Sequence, residues 1–120
     1  MTIHNIKNLV AIRGGAIGDF ILTLPAINAL RSRFPHAHFS LIGNPLILSL
    51  ANADRIFDHN STLFAPLYTH SGELSSATRN IFEEVDLLLA YAVDPDGVFE
   101  NRLNSLVKGR VVVFDPRPSP

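Results

Sequence analysis

A guanidinium and a carboxylate bracket a glycine-rich run, Arg13-Gly14-Gly15-Ala16-Ile17-Gly18-Asp19. A guanidinium holds a phosphate or carboxylate group through paired hydrogen bonds, and a carboxylate can take the proton of a hydroxyl while that hydroxyl attacks another centre. Gly14, Gly15 and Gly18 permit positive φ and let a ligand approach the main chain closely. Each feature also has a plainer account. Asp19 is an acid in the first turn of a helix, where the macrodipole favours it, and Arg13 could be a solvated residue at a strand end.

The other concentration of acids is Asp94-Pro95-Asp96. Aspartates one residue apart invite a divalent cation, but a hard cation needs more than two oxygen ligands and no third acid stands near in sequence. An Asp-Pro turn followed by a helix cap at Asp96 is the better account. His36 and His38 flank Ala37 without a ligand cluster, and His4, His59 and His70 are isolated. No metal site is expected.

The glycine run must join a strand to a helix. Asn8 to Ile12 is a short apolar run with β-branched members, and Phe20, Leu24, Ile27, Leu30 and Phe34 recur at helical spacing, with Ile17 and Ile21 widening the face. A helix is predicted from about Asp19 to Phe34, its opening N–H groups facing any anion at the turn. Pro25 collides with the carbonyl of Ile21 and predicts a kink or a loosened first turn, and Pro35 ends the helix.

Phe39-Ser40-Leu41-Ile42 reads as a second strand. Asn44 and Pro45 then cap and start a short helix that Leu46, Ile47, Leu48 and Leu50 should leave largely buried. Arg55-Ile56-Phe57 reads as an edge strand. Periodicity fails from Asp58 to Gly72, where Leu63, Phe64, Leu67 and Tyr68 surround Pro66; packing onto the domain is favoured over a surface kept for a partner.

Ser75 or Ser76 caps a helix running to about Glu84, with Ile81 and Phe82 inward. Leu87-Leu88-Leu89-Ala90-Tyr91 is a buried strand, Val98 to Val107 a helix, and Val111-Val112-Val113-Phe114 a last strand. This alternation argues for an α/β fold, an open parallel sheet with helices on both faces. Right-handed crossovers favour the strand order 3-2-1-4-5. The turns after the first and fourth strands then meet at the switch point where open sheets bind ligands. That placement brings Asp94 beside Arg13 to Asp19 and adds it to the substrate-binding candidates.

Two nucleotide signatures fail by counting. A dinucleotide fingerprint ending at Gly18 needs glycine where Arg13 stands, and Gly43-Asn44 occupy the place of its acidic residue. A Walker loop needs Gly-Lys-Ser/Thr where Gly18-Asp19-Phe20 stand.

The run from Leu9 to about Pro35, Arg-Gly-Gly-Ala-Ile-Gly-Asp-Phe-Ile-Leu-Thr-Leu-Pro-Ala-Ile at its centre, resembles the amino-terminal signature of the family 9 glycosyltransferases, the lipopolysaccharide heptosyltransferases and their relatives. From Phe39 to Asp115 the likeness is only in the order of elements. The resemblance implies the amino-terminal, Rossmann-like half of a GT-B enzyme that inverts the anomeric centre. It also implies that Asp19 is the general base; Arg13, holding an anionic group of the acceptor, and Gly14, Gly15 and Gly18 of the turn are the substrate-binding candidates. Enzymes of this family are generally metal-independent. Their second domain binds the nucleotide-sugar donor, and the reading here is that this chain lacks it, folds alone and transfers no sugar by itself. The alternative is a stand-alone, non-catalytic α/β ligand-binding or interaction module.

Length and composition set the remaining bounds. The chain has 120 residues, enough for one domain with a core, and its 47% hydrophobic and 18% charged residues describe a globular protein. A net charge of −1 excludes a polyanion-binding face, so no nucleic acid partner is expected. The absence of cysteine excludes disulfides and thiolate chemistry. No leader or membrane-spanning run is visible, so the expected location is cytoplasmic. The implied partners are a nucleotide-sugar donor and a glycolipid or saccharide acceptor, with peripheral contact at the inner membrane face; no cofactor is implied.

Overall fold

Strand formation follows the apolar runs. β1 (Asn8–Arg13), β2 (His38–Gly43), β3 (Arg55–Asp58), β4 (Leu87–Tyr91) and β5 (Arg110–Phe114) pair in parallel in the order β3-β2-β1-β4-β5. This is the expected order, in a computed structural model that describes residues 6–14, 17–48, 51–69 and 73–116. Of the helical residues 17–20, 22, 47 and 48 only the backbone is described. Among the described residues the α-helices are α1 (Ile17–Arg33), α2 (Pro45–Leu48), α3 (Ser76–Phe82) and α4 (Val98–Leu106).

Period-two alternation sends successive side chains of each strand to opposite faces. On one face Leu9, Ala11, Phe39 and Leu41 pack with Ile27 of α1. On the other, Val10, Ile12, Ile42, Leu88 and Ala90 pack with Phe82 of α3 and with Phe99 and Leu103 of α4. Phe39, Phe82 and Phe99 are fully buried, and each such ring contributes about 2 kcal/mol by leaving water. The aperiodic stretch after β3 does pack down: Phe64 and Leu67 are buried around a 3-10 turn, Ala65–Tyr68. Phe64 meets the rings of Phe57 and Phe82 edge-on.

Four local expectations are refined. α1 begins two residues before Asp19 and continues through Pro25, whose ring is exposed, so the missing hydrogen bond lies on the solvent side. Asn44 caps α2 through the amide of Leu46 as expected, but Leu46 itself is 87% exposed. A helix of one turn at the sheet rim turns that residue outward. Ser75 caps α3, its hydroxyl accepting from the Thr78 amide at 3.2 Å. Asp94, rather than Asp96, caps α4: its two oxygens accept from the amides of Phe99 and Glu100, each at 3.0 Å. The reason is the intervening turn, where the Gly97 amide bonds the Asp94 carbonyl at 3.1 Å and Gly97 takes φ 71°, aiming the first helical amides back at Asp94.

At the amino edge of the sheet the buried Asp86 accepts from the amides of Lys7 at 2.8 Å and Asn8 at 3.0 Å. Burial pushes its carboxyl up, but these two amides and the Lys108 ammonium at 3.5 Å outweigh burial and hold it below the usual carboxylate range. Gly109 lies against the backbone of the same residue, where an added Cβ would stand 1.8 Å from the Asp86 carbonyl oxygen.

Candidate functional site

The carboxyl ends of three strands meet at one level. Arg13, the last residue of β1, lies opposite Gly43 of β2 and Tyr91 of β4. The glycine turn and the Asp94 turn therefore start side by side, as the strand order demanded. Asp19 lies in the first turn of α1, which opens at this edge. Gly15, and the direction of the Asp19 carboxylate, lie outside the described residues. Gly18 is part of the α1 backbone.

Arg13 is half-buried rather than fully solvated, its guanidinium carbon 5.6 Å from the centre of the Tyr91 ring. Tyr91 in turn stacks on Phe114 of β5 with centroids 5.8 Å apart. Burial raises the Tyr91 phenol above its ordinary value, and the Arg13 charge pulls against that rise.

Gly14 does not use the conformational freedom that glycine offers; among the described residues only Gly97 has a positive φ. What constrains it is space. A Cβ at Gly14 would stand 2.9 Å from Cδ2 and 3.1 Å from Nε2 of His59. His59 follows β3, its amide donates to the Gly43 carbonyl at 2.9 Å, and its ring reaches across the end of β2 to the glycine turn. The imidazole Nδ1 is buried with no hydrogen-bond partner among the described residues. His59, read from sequence as isolated, is thus part of the turn. Gly14→Ala is expected to cost about 1–2 kcal/mol. The same change made in a His59→Ala chain should cost less than half as much, as thermal melts of the four chains would show. Equal costs in the two backgrounds would remove the imidazole as the reason for glycine.

On the α4 side, Tyr68 stacks on Phe99 with centroids 4.5 Å apart and planes 6° apart. Its phenol is held above the ordinary range by burial and then by the Asp94 carboxylate, which places ring and acid in one electrostatic neighbourhood. The sequence singled out Tyr68 only as a member of an aperiodic loop. A larger hollow, about 1030 Å³, lies at the opposite edge between Lys7, Asp86 and Lys108. Asp86 is already engaged there, its Oδ2 by two backbone amides and its Oδ1 by the Lys108 ammonium, and the strand ends that bind ligands in open sheets are the other ones.

The chain resembles the crystal structure of a glycosyl transferase family 9 protein from Veillonella parvula DSM 2008, with a TM-score of 0.61 and 17% identity, over 89% of this chain and 32% of that one. It shares the α/β, parallel-sheet fold of part of that structure. That likeness agrees, at the level of fold, with the resemblance read from Leu9 to Pro35. The chain spans about a third of the length of the family 9 structure. No protein-family model and no curated protein matches it. Among the described residues, no helix is long and apolar enough to cross a membrane.

Proposed function

We propose that this chain is the acceptor-binding, catalytic-base part of an inverting, heptosyltransferase-like glycosyltransferase. The full enzyme moves a sugar from a nucleotide-sugar to a cell-envelope lipopolysaccharide or polysaccharide acceptor at the cytoplasmic face of the membrane. One observation carries the reading: Asp19 sits in the first turn of a helix that opens at the carboxyl edge of a family 9 fold, one strand from the Asp94 turn.

In the reaction the Asp19 carboxylate takes the acceptor hydroxyl proton as the hydroxyl oxygen bonds to the anomeric carbon. Attack comes from the face opposite the leaving group. The bond from the anomeric carbon to the diphosphate oxygen breaks, and the nucleoside diphosphate leaves with the electron pair. Arg13 and the amides of Gly14, Gly15 and Gly18 hold an anionic group of the acceptor. Asp94 accepts from an acceptor hydroxyl with the lone pairs that its two amide bonds leave over. The donor is bound mainly by a second domain.

The test is an NMR titration of this chain with mannose 6-phosphate. The amides of Gly14, Gly18 and Asp19 should shift, and Arg13→Gln should weaken the effect about tenfold, the loss of one charge-assisted contact. Unmoved amides at the turn would overturn the acceptor-side assignment.

A further inference from the structure

Tyr68 is exposed in an unusual setting. The residues around it are tied down: Leu67 is buried, and the Thr69 carbonyl accepts from Arg102 Nε of α4 at 2.9 Å. The ring lies nearly parallel on Phe99, itself only 2% exposed, yet Tyr68 keeps 53% of its surface in water. An aromatic ring backed on one side and wet on the other is a flat apolar surface whose π face attracts polarised C–H groups. The next residue, Thr69, lines a shallow hollow of about 170 Å³, the scale of one sugar ring, together with Asn101, Arg102 and Ser105 of α4 and with Val98, the neighbour of Phe99. Four of those five side chains are polar.

We propose that Tyr68 is the platform on which one pyranose ring of the acceptor stacks, with the adjoining polar hollow receiving its hydroxyls. This rests on the acceptor-side reading and adds a sugar subsite to it. A pyranose has an apolar C–H face and a rim of hydroxyls, and these two surfaces match the ring and the hollow in turn. A role confined to covering Phe99 explains the inner face of Tyr68 and leaves its wet outer face unaccounted for.

The chain contains two tyrosines, Tyr68 and Tyr91, so ring signals are assigned with one variant. Titration with methyl α-mannopyranoside should shift the Tyr68 ring protons and the Asn101 amide. Tyr68→Ala should weaken binding roughly fivefold, and Tyr68→Phe should retain most of it. A Tyr68 ring that does not respond in the unaltered chain overturns the platform, whatever the variants do. So does a larger response to uridine than to the mannoside, which would make the ring a base-stacking surface. Mannose 6-phosphate separates the two claims: shifts at the glycine turn with none at Tyr68 sink the platform and leave the acceptor-side reading standing. Shifts at Tyr68 alone sink the acceptor-side reading and, with it, the assignment of this platform to the acceptor.

Discussion

Asp19→Asn is expected to lower sugar transfer by about 10²–10⁴-fold in a protein that joins this chain to a donor-binding domain. The amide has the size and place of the carboxylate but cannot take a proton at neutral pH, so the acceptor hydroxyl must attack without a base. Because the lost interaction belongs to the transition state, kcat should carry the loss while KM for the acceptor stays close to its original value. Folding should suffer little. Removing an acid from the first turn of α1 forgoes about 0.3–1 kcal/mol of dipole interaction. Steady-state transfer rates set beside thermal melts distinguish the cases, and near-normal turnover would take Asp19 out of the mechanism.

The largest structural effect is expected at the other end of the sheet. Gly109→Ala would place a methyl group 1.8 Å from the Asp86 carbonyl oxygen, 2.4 Å from its carbonyl carbon and 2.6 Å from its Cα. All three are backbone atoms, so no rotamer change relieves the clash. The same strands are locked in place by the Gly109 amide on the Val85 carbonyl at 3.0 Å and the Arg110 amide on the Asp86 carbonyl at 2.9 Å. Moving β5 away breaks these bonds. A cost of about 3 kcal/mol or more is expected, a sizeable part of the 5–15 kcal/mol that ordinarily separates folded from unfolded domains. The melting midpoint should fall by roughly 10 °C or more. A variant melting within about 2 °C of the parent would show that β4 and β5 tolerate separation.

These glycines show what the chain disclosed before its structure and what it withheld. The apolar runs of β1, β2 and β4 and the helical spacing of Leu24, Ile27 and Leu30 are local, and two periodicities suffice to find them. The strand order followed from crossover handedness, so the meeting of the glycine turn with the Asp94 turn was legible as well. Contacts between distant loops were not. Gly14 read as a residue needing conformational freedom, because nothing local to it announces His59. A signal did exist in the register: Arg13 is level with Gly43, and Gly43 with Asp58, so the residue after β3 must emerge level with the glycine turn. Gly43 has no side chain to block the way. Spacing along the chain favours Asp96 as the cap of α4, whereas Gly97 turns the backbone so that the first amides point back past Pro95 to Asp94. Leu46 stands outward because one helical turn cannot bury all its sides.

The two amides held by Asp94 couple what looks like separate furniture. Its carboxylate anchors the start of α4, the start of α4 carries Phe99, and Phe99 is the backing plate of Tyr68. Removing that anchor loosens the plate, and the outward ring drifts with it. An Asp94 variant that binds sugar poorly would therefore report a slackened support as readily as a missing contact. Asparagine, which keeps one oxygen for the helix, is the replacement that separates leverage from touch.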